Sequence, residues 1–177
     1  LGCRAIEPDV AALAALKGRD DKPFLLLVAH RRMAAACGLE FASSASRLAD
    51  RFWPGPLTLV LPGGEARLPA RLRGERGGIA VRWTSHAGMA RLIERLGEPI
   101  TSTSANLHGR STAADCSEIV RWFGAAVEDG TLLVLDGGVL GSHPPSTIVD
   151  CTRGRPRVVR EGAIARHDLR EAVGSVD

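Results

Sequence analysis

Short uninterrupted apolar runs alternate along this chain with stretches whose apolar residues recur every three or four positions, the pattern of strands and amphipathic helices taken in turn. From Asp9 to Lys17 an acidic residue opens the segment, Val10, Leu13, Ala14 and Leu16 form one stripe, and Gly18 stands where a helix ends. Phe24 to Ala29 is continuously apolar and of strand length, as a buried strand requires. A second amphipathic helix runs from Ala42 to Phe52 and must stop at Trp53-Pro54-Gly55-Pro56, because proline lacks the backbone donor and fixes φ. Leu57 to Leu61 and Ile79 to Arg82 read as strands, and the Gly-, Pro- and Arg-rich stretch between them is either a hairpin excursion or a mobile flap. A helix from His86 to Leu96 follows, then a short strand from Ile100 to Thr103 entering a polar turn, and a helix from Asp115 to Phe123. Leu132 to Leu135, Thr147 to Val149 and Arg157 to Val159 are further short strands.

No repeat, low-complexity tract or linker interrupts this order, so the expected fold class is α/β: one domain over residues 1–177, with a twisted mixed sheet flanked by helices. Leu1-Gly2-Cys3 leads into a helix with no strand before it, and an N-terminal element ahead of residue 1 is therefore expected. At 177 residues, 45% hydrophobic and 24% charged, the chain can bury one ordinary core. No apolar stretch approaches the roughly 18 residues a membrane crossing needs, and no basic segment leads into an apolar run at the start, so a cytoplasmic location is expected, with no membrane partner. Cys3, Cys37, Cys116 and Cys151 form no CxxC pair and read as reduced thiols. A net charge of +3 permits an anionic ligand without demanding one; four Phe, three Trp and no Tyr leave little for stacking RNA bases.

Polar residues of chemical interest gather in five places. Lys17-Gly18-Arg19 puts two cations at a helix exit, which suits a polyphosphate but equally complements the helix dipole. Ile100-Thr101-Ser102-Thr103-Ser104-Ala105-Asn106 sets hydroxyls and an amide directly after a strand, where α/β sheets bind ligands, although an ordinary polar turn has the same composition. Arg82 at a strand end can grip a carboxylate with two parallel bonds, or serve a rim ion pair; Pro145-Ser146-Thr147 and Arg160-Glu161-Gly162 are polar turns beside strands. No GxxxxGK[ST] loop, GxGxxG fingerprint, HExxH pair or GxSxG elbow is present, so phosphate grip would come from side chains and no covalent nucleophile is indicated.

Seven strings in order resemble the YrdC/Sua5 family of threonylcarbamoyl-AMP synthases: LKGR at Leu16 to Arg19, KPFLLLV from Lys22, FWPGPLTLVLP from Phe52, IAVRW from Ile79, PITSTSANLHGR from Pro99, STIVD from Ser146 and PRVVREGAI from Pro156. The family's KxR and SxN signatures fall on Lys17/Arg19 and Ser104/Asn106. The resemblance implies a short, single-domain form with a concave basic face. It implies that Lys17 and Arg19 are catalytic, that Arg19, Lys22, Gly78, Ser104, Asn106, Thr112 and Arg160 face ATP, and that Arg82, Ser102 and Ser146 face L-threonine. The implied nucleotidyltransferase reaction joins threonine, bicarbonate and ATP into threonylcarbamoyl-AMP and pyrophosphate for N6-threonylcarbamoyladenosine in tRNA. Mg²⁺ would ride on the phosphates, with no protein-held metal, and the product would pass to a threonylcarbamoyl transferase complex, by analogy. The family's fold opens with a strand and a Pro-Thr-rich segment ahead of the position of Leu1, supplying part of the threonine pocket. Two rival readings are a paralogue similar to YciO and a non-catalytic protein that binds double-stranded RNA or assists ribosome assembly on the same face.

Overall fold

The computed structural model describes residues 1–177 apart from 19–21, 108–110, 114, 140 and 142. Six strands form one mixed sheet: β1 (Leu25–Val28), β2 (Leu57–Leu61), β3 (Ile79–Trp83), β4 (Ile100–Ser102), β5 (Thr147–Asp150) and β6 (Arg157–Arg160), in the order β4-β1-β3-β2-β5-β6. β1 with β3 and β2 with β5 are parallel, while β1 with β4, β2 with β3 and β5 with β6 are antiparallel. The helices are α1 (Glu7–Lys17), α2 (Arg31–Ala36), α3 (Ser43–Phe52), α4 (Ala87–Leu96), α5 (Cys116–Trp122), α6 (Gly124–Glu128) and α7 (Arg166–Val173).

Local chemistry sets the helix ends. α1 begins with a proline in its first turn, where no amide donor is missed, and closes on Gly18 at φ 57°, a left-handed position that costs glycine nothing. His86 Nδ1 accepts from Met89 N–H at 3.1 Å to start α4, and the Asp115 carboxylate accepts from Glu118 N–H at 3.1 Å to start α5. These side-chain acceptors satisfy donors that a helix cannot pair within itself.

The sheet has two unlike faces. Leu26, Val28, Leu57, Leu59, Leu61, Ile79, Val81, Thr101, Thr147 and Val149 are all fully buried and alternate with their neighbours along the strands, as the two-residue period demands. Val10, Leu13, Leu48, Ile93 and Leu169 from α1, α3, α4 and α7 belong to the same core. The alternate positions Leu25, Val60, Ala80, Arg82, Ile100, Ser102 and Ile148 are only half-buried. A smaller core of Ala113, Ile119 and Phe123, joined by Leu16, Ala105, Leu107, Leu132 and Val134, stands beside the main one.

Residues 1–3 run along the outer edge of β4: Thr101 N–H donates to Cys3 O and Thr103 N–H to Leu1 O, each at 2.8 Å. Gly2 permits this approach, since a Cβ there would lie 2.2 Å from Thr101 O. The connection between β2 and β3 is an ordered excursion carrying a 3₁₀ turn at Ala70–Leu72, and β2 and β3 are antiparallel neighbours, as a hairpin requires.

One expected strand is absent. Leu132 to Leu135 joins no ladder: Leu132 and Val134 pack on the smaller core, and Leu133 and Leu135 are 85% and 76% exposed with no described strand beside them. A short apolar run of which every second side chain packs on a core thus mimics a strand without a ladder partner. α2, α6 and α7 were not anticipated; α7 buries only Leu169, too little to give an apolar stripe.

Candidate active site

Strand register brings four of the expected site residues to the half-buried face. Arg82 pairs with Leu27 across β3 and β1, and Leu27 with Ile100, which puts Ser102 on the same side two residues on. Leu59 opposite Val81 sets Thr58 beside Arg82, and Thr58 opposite Ile148 sets Ser146 on that face, with Arg160 opposite Ile148. Residues i and i+2 of a strand share a face, so this grouping follows from register alone.

Thr58, Ser146 and Arg160 form a hydrogen-bonded set on this face. The hydroxyls of Thr58 and Ser146 lie 2.9 Å apart, and Arg160 donates to Ser146 O through Nη2 at 2.8 Å and Nε at 3.2 Å. Arg82 Nε is buried and has no hydrogen-bond partner among the described residues. Burial, and then the neighbouring Arg160, pull the Arg82 guanidinium below its usual basicity, because both disfavour an added positive charge. No described carboxylate pairs with either arginine. Two guanidinium groups and two hydroxyls with no counter-ion among the described residues suit an anionic group, and the planar guanidinium suits a carboxylate or phosphate held by two bonds. Thr58 was not anticipated from sequence; its signal is the single polar position within Leu57–Leu61.

A cavity of about 610 Å³ opens beside Arg82. Its walls include Leu27, Met89, Ala105, Ile119 and Val134, with Thr84, His86, Asp115 and Cys116 as polar points. The apolar wall shields Arg82 and strengthens its field.

Lys17, Ser104 and Asn106 form a second cluster beyond the end of β4. Lys17 is 3% exposed, and its Nζ donates to Ser104 O at 2.8 Å, to Asn106 Oδ1 at 2.6 Å and to Asn106 O. Ser104 Oγ donates to the same Asn106 Oδ1 at 2.6 Å. Ala105, between Ser104 and Asn106, also lines the Arg82 cavity.

Of the remaining expected residues, Gly78 can be placed against Arg82 along the strand. Gly78 is buried at the start of β3, four residues and roughly 13 Å along the strand from Arg82. A Cβ there would meet Thr152 Cγ2 at 2.4 Å and Val60 Cγ1 at 2.6 Å, so packing demands glycine. Lys22 and Thr112 are exposed. Arg19 lies outside the described residues. Among the described residues no group of three or more His, Cys, Asp or Glu could hold a metal ion, and no helix is long and apolar enough to cross a membrane.

Comparison with known proteins matches this architecture. The family model Sua5/YciO/YrdC, described as telomere recombination, covers residues 1–162. A threonylcarbamoyl-AMP synthase of Pyrococcus abyssi is 31% identical across 99% of this chain and 51% of its own length. Another, of Thiobacillus denitrificans, is 38% identical across 88% of this chain and 80% of its own. The crystal structure of Pyrococcus abyssi Sua5 complexed with L-threonine superposes with a TM-score of 0.85 at 30% identity, covering 99% of this chain and 52% of that one. The chain thus spans about half the length of the Pyrococcus abyssi protein. With the family model matched over most of its length and relatives at this level of identity, the chain belongs to the Sua5/YciO/YrdC family.

Proposed function

We propose that this chain is the ATP- and threonine-using domain of an L-threonylcarbamoyladenylate synthase. The observation that carries the reading is the half-buried Arg82, beside a cavity, with Arg160, Ser146 and Ser102 on the same sheet face and no described carboxylate within ion-pair distance of it. Relatives named threonylcarbamoyl-AMP synthase, and a relative crystallised with L-threonine, support the substrate.

In this reading Arg82 holds the threonine carboxylate while Ser102 and Ser146 orient its amine and hydroxyl. The free amine adds to bicarbonate and loses water, giving a carbamate. A carbamate oxygen then attacks the α-phosphorus of ATP, the bond to the bridging oxygen breaks, and pyrophosphate leaves. Such a transfer needs positioning and charge neutralisation more than a covalent nucleophile. Arg160, Arg19, Lys22 and Thr112, with the backbone at Gly78, serve the nucleotide. A magnesium ion carried by the triphosphate needs no dedicated protein cage. The product passes to a threonylcarbamoyl transferase acting on tRNA, in the cytoplasm.

The test is pyrophosphate release from ATP, Mg²⁺ and bicarbonate by the purified chain, with and without threonine. Threonine-dependent release that falls at least about a hundredfold in Arg82→Ala is expected, the cost of an unpaired buried carboxylate. Release indifferent to threonine, or undiminished in that variant, would overturn the assignment.

A further inference from the structure

Thr58 sits within β2, between β3 and β5, and its hydroxyl lies 2.9 Å from that of Ser146 at the entry to β5. Thr58 is 2% exposed and Ser146 7%. A hydroxyl has one proton to give and two lone pairs with which to receive. The pair therefore holds two protons but shares one bond, and the described residues offer neither side-chain oxygen any other acceptor. Whichever way that bond runs, one proton is left over. A leftover proton on Thr58 would be a stranded donor inside the sheet, the more costly arrangement, because Thr58 is the deeper of the two. The Thr58 O–H accordingly donates to Ser146 Oγ, and the leftover proton belongs to Ser146.

Arg160 completes the assignment. Its Nη2 donates to the same Ser146 Oγ at 3.3 Å, and a guanidinium has no means of accepting. Both lone pairs of Ser146 Oγ are then engaged, so this hydroxyl can only donate. A donor of that kind sorts the groups of threonine. The ammonium of the incoming amino acid also only donates, and the neighbouring Arg160 charge repels it. With the carboxylate on Arg82, the group left for Ser146 is the side-chain hydroxyl, whose oxygen can accept. Ser102, on the same face, makes no side-chain hydrogen bond with a described residue and keeps its lone pairs for the amine.

We propose that Thr58 is a positioning residue that sets amino-acid specificity: by donating to Ser146 Oγ it makes the Ser146 hydroxyl a donor to the side-chain oxygen of threonine. The proposal rests on the function proposed above and deepens it, giving Ser146 the hydroxyl, Ser102 the amine, and a role to Thr58, which stands outside the residues that the family resemblance implies. Thr58 acts only through Ser146 and touches no substrate.

Thr58→Val keeps the shape of the side chain and removes its donor, Thr58→Ser keeps the donor, and L-2-aminobutyrate is threonine without its hydroxyl. Calorimetric titration of each variant with both amino acids separates the roles. Thr58→Val should bind L-threonine about five- to tenfold more weakly than wild type, the worth of one hydrogen bond, and L-2-aminobutyrate within twofold of it. Thr58→Ser should restore threonine binding. Threonine binding within twofold of wild type in Thr58→Val would overturn the proposal, as would equal losses for the two amino acids, which would put Ser146 on the shared carboxylate. A Thr58→Ser variant as weak as Thr58→Val would assign the effect to packing and refute the donor role. If Thr58→Val does not fold, Ser146→Ala carries the same comparison: it should lose threonine affinity and keep that for L-2-aminobutyrate, and equal losses would again refute the assignment. Wild-type protein that binds no threonine would bring down the function proposed above, and this inference with it; wild-type binding with an indifferent Thr58→Val brings down this inference alone.

Discussion

Gly162→Ala should destabilise the protein through a contact that no motif reveals. Gly162 follows β6 and lies against the entry to β5, where its N–H donates to Thr147 Oγ1 at 3.0 Å. A methyl group there would sit 2.2 Å from Pro145 O and 2.9 Å from Ser146 O, both backbone atoms that no rotamer change can move. Relief requires a displacement of about 1 Å or more between the two segments. Overpacking of this kind costs about 1–3 kcal/mol. The displacement also loosens the bonds meeting at Thr147 Oγ1, which donates to Ile164 O at 2.7 Å and accepts from Ile164 N–H at 3.0 Å, at about 1 kcal/mol each. A total near 3 kcal/mol lowers the melting temperature by about 6–12 °C for a chain of this length. Because Ser146 moves with the strand entry, threonine affinity should fall as well. Circular-dichroism melting checks the first effect and calorimetric titration the second, with Gly154→Ala, which meets nothing within 4 Å, as the control. A Gly162→Ala melt within about 2 °C of wild type would refute the steric argument.

Leu59→Ala, at a fully buried position in the middle of β2, should cost about 3 kcal/mol in urea unfolding with little change in the denaturant slope. Burial raises the Asp150 carboxyl, but hydrogen bonds from the Thr152 hydroxyl and N–H, with Arg76 and Arg157 nearby, outweigh it and leave the pKa below the ordinary value. Its stabilisation is therefore complete above about pH 4 and lost as pH falls through the depressed pKa, so acid titration of unfolding should be shallower in Asp150→Asn than in wild type. Burial pushes the Cys151 thiol up to about 12, followed in effect by the Asp150 charge, so a thiol reagent at neutral pH should label Cys151 only after denaturation. Labelling of the native protein at a free-thiol rate would contradict the buried placement.

The strands at Leu57 and Ile79 were legible because an apolar run of strand length bounded by proline or glycine has few alternatives. The helix at Asp9 was legible for a different reason: its apolar stripe, acidic start and glycine stop agree. Leu132 to Leu135 was misread because a short, continuously apolar run has the composition of a strand and says nothing of a hydrogen-bonding neighbour. α2 and α7 escaped because a helix of only six residues, and a charged helix with one buried leucine, leave no periodic trace. In the site, Arg82 and Ser146 stood out as polar residues at strand ends, but the grouping of Arg82, Thr58, Ser146 and Arg160 needed the register of four strands from distant parts of the chain. The inward bonds of Lys17 were beyond reach for the same reason, since its partners lie 87 and 89 residues away.

The division of each strand into alternate positions with opposite surroundings bears on how such a domain can diverge. In β2, Leu57, Leu59 and Leu61 answer to the core, while Thr58 and Val60 answer to the opposite face, which Thr58 shares with Arg82 and Ser146. Two selective pressures therefore act on one five-residue string without sharing a residue. Codon changes at the even positions can retune ligand preference while the odd ones keep the scaffold folded. A lineage built this way can explore new chemistry by small steps, none of which passes through an unfolded ancestor.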